Sequence, residues 1–126
     1  MNAPNPVKDA VIHRADVAKA IDQDPVATYR AYRGMEADEL TKLPKYMQPG
    51  IARHVILGIR PGSFLCAVFA DEFEIARYKA DDTNLPALPA YRHFLENGCP
   101  ASCWGSSKAV QEWCESGGLV GRLTGA

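Results

Sequence analysis

The chain has no surplus of basic residues. Fourteen Lys and Arg stand against fifteen Asp and Glu, for a formal net charge of -1. Both halves are balanced, with seven of each sign before Pro49 and seven basic against eight acidic after it. Duplex binding draws most of its affinity from phosphate neutralisation, so this composition excludes nonspecific nucleic-acid binding. A long apolar run is also missing. The longest stretch, Phe64 to Ala70, is seven residues, far short of the roughly 18 that cross a bilayer. The opening Met1-Asn2-Ala3-Pro4-Asn5-Pro6 lacks the basic and apolar regions of a signal peptide, which leads to the expectation of a cytoplasmic protein. Its four cysteines, Cys66, Cys99, Cys103 and Cys114, are then expected as reduced thiols. There is no P-loop, GxGxxG, HExxH, nucleophile elbow or paired CxxC. No run alternates at period two, which leaves helices.

What is present is a set of short amphipathic segments punctuated by Pro and Gly. A chain of 126 residues supports a single core without staples. Val7, Ala10, Val11, Ala18 and Ile21 predict a helix over 6–21, led by Pro6 at a favourable first position. Asp24-Pro25 repeats the start signal for a second helix that runs towards Gly34. Residues 36–43 have helix-forming composition and stop at Pro44. Ile51, Val55 and Ile59 mark a third helix ended by Gly58 and Pro61. The apolar run that follows predicts one buried helix over 64–79, straight or bent, with a break near Asp71 as the alternative, on which the other elements pack. Leu85, Leu88, Tyr91, Phe94 and Leu95 predict another up to Gly98. Val110, Trp113 and Cys114 form the inward face of a last helix behind Ser106. The expected fold is all-α, a compact bundle of about five to six short helices around the central apolar helix. The expected organisation is an N-terminal arm over 1–43, a main helical domain over 44–118 and a tail over 119–126 with few anchors.

Two helix starts carry the candidate site. Gly62-Ser63 and Gly105-Ser106-Ser107 each combine glycine, which lets backbone approach, with serine hydroxyls and helix-start N–H groups suited to a phosphate. Ser63 and Ser106 are also simple N-caps on the same reading. Arg60, Arg77 and Arg92 are placed to add positive charge, and Tyr78, Tyr91 and Trp104 to stack on a base or fill a partner's pocket. Cys99, Cys103, Cys114 and His93 lack the knuckle spacing of a zinc site, and Cys66 and Cys114 read as small core hydrophobes. A Cys-His nucleophile needs the two groups in contact. Asp81, Asp82 and Glu74 read as a solvated helix end before they read as paired catalytic carboxylates. No cofactor and no metal are expected.

Tyr46-Met47-Gln48-Pro49-Gly50, Gly58-Ile59-Arg60-Pro61-Gly62-Ser63-Phe64-Leu65 with Ala67-Val68, Arg77 with Ala80-Asp81 and Asn84, and Cys103-Trp104-Gly105-Ser106 resemble a family of small uncharacterised proteins of bacteriophages and prophages. The resemblance runs from about Leu43 to Trp113. Pro86, Pro89, Asp71-Glu72-Phe73, Cys99 and Cys114 depart from the family's pattern. It implies a setting in the cytoplasm of a bacterial host and an accessory role. The expected function is non-enzymatic binding that counters host antiviral defence or redirects host machinery, by masking a host protein or sequestering a nucleotide-like signal. An enzyme acting on a small phosphorylated molecule and a virion or assembly component are the alternatives. Apolar residues on the arm also raise the expectation of a homo-oligomer.

Overall fold

The computed structural model of the protein describes residues 14–32 and 35–123. The described residues form nine α-helices and no strand. Helix α1, Arg14–Gln23, buries Val17 and Ile21; the earlier part of the expected 6–21 helix lies outside the described residues. Asp24 then caps α2, Pro25–Arg30, its carboxylate accepting from the Ala27 N–H at 3.1 Å, with Pro25 in the first turn where no N–H is needed. Helix α3, Ala37–Thr41, turns in Ala37 and Leu40.

After a 3-10 turn over Lys45–Met47 comes α4, Gln48–Ala52, which passes into a π turn over Arg53–Leu57. Gly58 ends this segment in the left-handed region, with φ 68°, as its sequence position suggested. Ile51, Ala52, His54, Val55, Ile56 and Leu57 are all buried, so this stretch is covered almost throughout. Ile59, read as part of the inner face, is exposed.

The expected helix over 64–79 is two helices. Helix α5, Ser63–Phe69, and α6, Phe73–Lys79, are separated at Ala70-Asp71-Glu72. Asp71 adopts φ 61°, its N–H donates to the Val68 carbonyl at 3.0 Å, and the Glu72 N–H donates to the Ala67 carbonyl at 2.9 Å. That is a Schellman stop with aspartate in the place glycine usually takes. The Asp71 carboxylate pairs with Arg92, which fixes the turn from outside. The reading of Ser63 as N-cap is likewise corrected: Gly62 occupies the cap in extended backbone, and Ser63 is the first helical residue.

Helix α7, Leu88–Asn97, buries Tyr91, Phe94 and Leu95. A 3-10 turn over Ala101–Cys103 leads to α8, Ser107–Glu115, whose cap is Ser106 as expected, its Oγ accepting from the Ala109 N–H at 3.0 Å. The stretch read as a sparsely anchored tail begins with α9, Gly118–Leu123, in which Val120 is fully buried. It lies against the π turn. Only glycine allows this closeness: a Cβ on Gly118 would sit 2.2 Å from the Gly58 nitrogen, and one on Gly58 would sit 2.4 Å from the Gly118 nitrogen. Arg14 straddles the seam, donating to the Leu57 carbonyl at 2.6 Å and the Gly117 carbonyl at 3.0 Å.

One apolar cluster runs through the fold. It holds Ile21, Tyr29, Leu40 and Leu43 from before Pro44 together with Ile51, Phe69, Phe94 and Trp113 from after it. The Gln48 amide stitches the two parts, donating to the Leu40 carbonyl at 3.2 Å and the Leu43 carbonyl at 3.0 Å.

Candidate functional site

The turn that ends the π segment and the break after α5 face a common groove. Its floor is Cys66, Ala67, Ala70 and Val110, its rim is Arg60, Ser63, Glu72, Ile75 and Ser107, and its volume is about 410 Å³. The two helix starts singled out in the sequence therefore do meet, through Ser63 and Ser107. Arg60 is exposed and has no ion-pair partner among the described residues. The Ser107 hydroxyl donates to the Glu72 carboxylate at 2.9 Å. The groove thus has an unpaired cation, a carboxylate with one hydroxyl already bound to it, and an apolar floor.

The other expected site residues divide among five places. At the start of α8 the Gly105 N–H donates to the Phe69 carbonyl at 2.8 Å and the Ser106 Oγ accepts from the Ala109 N–H as the cap, so these two groups serve the fold. Gly62 sits beside the groove with open space where a side chain would be. Arg92 and Trp104 belong to a separate clasp: the guanidinium lies 5.6 Å from the Phe73 ring and 5.5 Å from the Trp104 ring, and it is paired with Asp71 and Glu96. Bonds to Glu96 and Asp71 push its pKa above the usual arginine value. Arg77 and Tyr78 lie on another side of α6, with Glu74 and Leu85. Tyr91 does not stack on anything outside; it is buried and its hydroxyl donates to Asn84 Oδ1 at 2.7 Å.

Cys66, Glu72 and Ile75 are groove residues that the sequence reading did not select. Reading the helix as broken at Asp71 brings Glu72 to the start of α6, and that break was the available signal.

A second polar arrangement lies behind the groove. His54 is buried on the π turn, with its ring 4.2 Å from that of Phe69. Its Nε2 is 3.1 Å from the Cys103 carbonyl. A carbonyl only accepts, so Nε2 carries the proton and Nδ1 is an acceptor, turned to the Cys114 thiol at 3.8 Å. Burial holds the His54 pKa below its usual value and pushes that of Cys114 above its own. Both groups are neutral at pH 7 as a result, the opposite of the thiolate–imidazolium pair of an activated nucleophile. Neither residue lines the groove.

Of the residues weighed as zinc ligands, only Cys99 and Cys103 meet, through a side-chain hydrogen bond, while Cys99 also faces the Leu95 carbonyl, His93 pairs with Glu39 and Cys114 faces His54. Among the described residues no three such groups gather as a metal site would need. Asp81 serves a turn, accepting from the Thr83 and Asn84 N–H groups at 3.1 and 2.7 Å and from the Tyr46 hydroxyl. The Tyr46 bond is the main cause that lowers its pKa. Compared with known proteins, the chain matches no family model, no curated protein and no solved structure.

Proposed function

We propose that the chain acts by non-enzymatic binding and holds a segment of a partner protein in the groove between α5, α6 and α8. The observation that carries this reading is the mixed rim. A free Arg60 shares the groove with Glu72, while Ala67, Ala70 and Val110 form an apolar floor. An extended peptide suits such a lining, because it offers an apolar side chain to the floor, amide groups to Ser63 and Ser107, and an acidic side chain to Arg60. A phosphate group would meet the Glu72 carboxylate as well as Arg60, and like charges brought together out of water repel strongly. The resemblance to phage and prophage proteins supplies the setting: a host protein as partner, masked so as to blunt a defence or redirect host machinery, in the bacterial cytoplasm.

Sequestration of a nucleotide-like signal is the second reading. It is favoured by the meeting of Arg60, Ser63 and Ser107 in one groove. The two readings separate in a single experiment. Wild-type protein and the Arg60→Glu variant, matched for melting temperature, are exposed to host lysate, and the retained proteins and released small molecules are weighed by mass spectrometry. A protein retained by wild type and reduced at least tenfold on Arg60→Glu supports the peptide reading. A nucleotide-sized mass lost on the same substitution supports the second. Retention that is indifferent to Arg60 removes the groove from the function.

A further inference from the structure

Helix α6 buries Ala76 fully but leaves Glu74, Ile75, Arg77, Tyr78 and Lys79 exposed. Away from the groove, Glu74, Arg77 and Tyr78 share one side of the helix at the three- and four-residue spacing that makes neighbours. With Leu85 they line a shallow hollow of about 410 Å³. Tyr78 is 91% exposed and Leu85 45%, which leaves this ring wetter than that of Tyr46 at 57%, while Tyr29, Tyr32 and Tyr91 are buried. Glu74 and Arg77 make no ion pair among the described residues. Ion pairs do form elsewhere on the surface, as between Arg53 and Asp22, Arg30 and Asp38, and Lys42 and Glu39.

We infer that this face of α6 is a docking surface for a second copy of the chain, paired antiparallel about a twofold axis through Glu74, Arg77, Tyr78 and Leu85. The reason for choosing a copy is the order of the charges. An acidic and a basic residue three positions apart on one helix face become complementary to themselves when the helix is turned end for end. Glu74 of each copy then meets Arg77 of the other, twice, because a twofold interface repeats every contact. Tyr78 and Leu85 fill the hollows at either side of this pair. A net charge of -1 offers little long-range repulsion between copies. Helix α6 is about 10 Å long at 1.5 Å per residue, so the interface is small and the dimer is a weak, concentration-dependent one.

Sedimentation velocity of the full chain across a dilution series tests this. Wild type shifts from monomer to dimer as concentration rises. Glu74→Arg and Arg77→Glu each turn two attractive pairs into two repulsive ones and raise the dissociation constant roughly ten- to thirtyfold. The double variant Glu74→Arg/Arg77→Glu restores the complementarity with the signs exchanged, and its dissociation constant returns to near the wild-type value. Arg60→Glu dimerises like wild type, which keeps this test independent of the groove. A monomer at every concentration overturns the inference. So does a dimer indifferent to the single reversals, or a double variant no better than either single one.

Discussion

His54 shows how much one side chain can be constrained by neighbours that are remote in sequence. The Cys103 carbonyl sets its tautomer, Phe69 packs on its ring, and its own backbone carbonyl accepts from the Trp113 indole at 2.9 Å. Burial lowers its pKa from 6.5. A base whose folded pKa is lowered binds fewer protons folded than unfolded. Its contribution to stability is therefore complete above pH 6.5 and is lost as pH falls from there through the folded value. The wild-type melting temperature is expected to decline on acidification below pH 6.5, before the carboxylates titrate. In His54→Gln, whose amide can still donate to the Cys103 carbonyl, that first decline is expected to disappear; a scan of melting temperature against pH decides it. The lowered carboxylates Glu39 and Asp81 act in a separate window, since their contributions are lost only below their unfolded values of 4.5 and 3.8. Cap residues were legible at this scale, as Asp24 and Ser106 show. The His54–Cys114 contact was not, because only the folded chain brings together groups sixty positions apart.

Among the elements, the division of 64–79 is the informative difference between sequence and structure. Apolar residues recur on both sides of Asp71 at helical spacing, and nothing in composition alone distinguishes a solvated bend from a stop. The decision is made by the Schellman bonds from Asp71 and Glu72 and by Arg92, which reaches Asp71 from α7. This stop lets α6 pack against α5 and leaves Glu72 within reach of Ser107 at the groove rim. Aspartate and asparagine tolerate the left-handed conformation better than a β-branched residue, for which it costs about 1–2 kcal/mol more. Asp71→Val is accordingly expected to destabilise the fold by about 2 kcal/mol. Asp71→Asn keeps the backbone preference and loses only an exposed ion pair, at roughly 0.5 kcal/mol. Urea melts of the two variants measure the difference; equal losses would place the stop elsewhere than in the backbone of Asp71. Helix α9 escaped the sequence reading for a related reason. Its one fully buried side chain is Val120, with Leu119 only partly buried against the core, and a helix this short has no period to detect.

For the molecule as a whole, the core crosses Pro44. Fully burying an Ile, Leu or aromatic side chain contributes about 1.5–3 kcal/mol, and Ile21, Tyr29, Leu40 and Leu43 all contribute from the arm side. Their sum of roughly 6–12 kcal/mol is comparable to the whole stability of a domain. A fragment of residues 44–126 is therefore expected to lose its cooperative thermal transition, read by circular dichroism. A sharp transition in that fragment would support the separate arm that the sequence suggested. The all-helical class was legible in the missing period-two alternation, whereas the order of packing was not, because it depends on contacts such as the Gly58–Gly118 seam. That seam also sets a schedule for synthesis. Gly118 is made sixty residues after Gly58, an interval of roughly 3–12 seconds at ordinary translation rates. Throughout it the apolar stretch from Ile51 to Leu57 waits without its final cover. The ribosome-bound chain is thus a different object from the finished one: it exposes a surface that the folded protein hides, and it is the form that chaperones and proteases meet first.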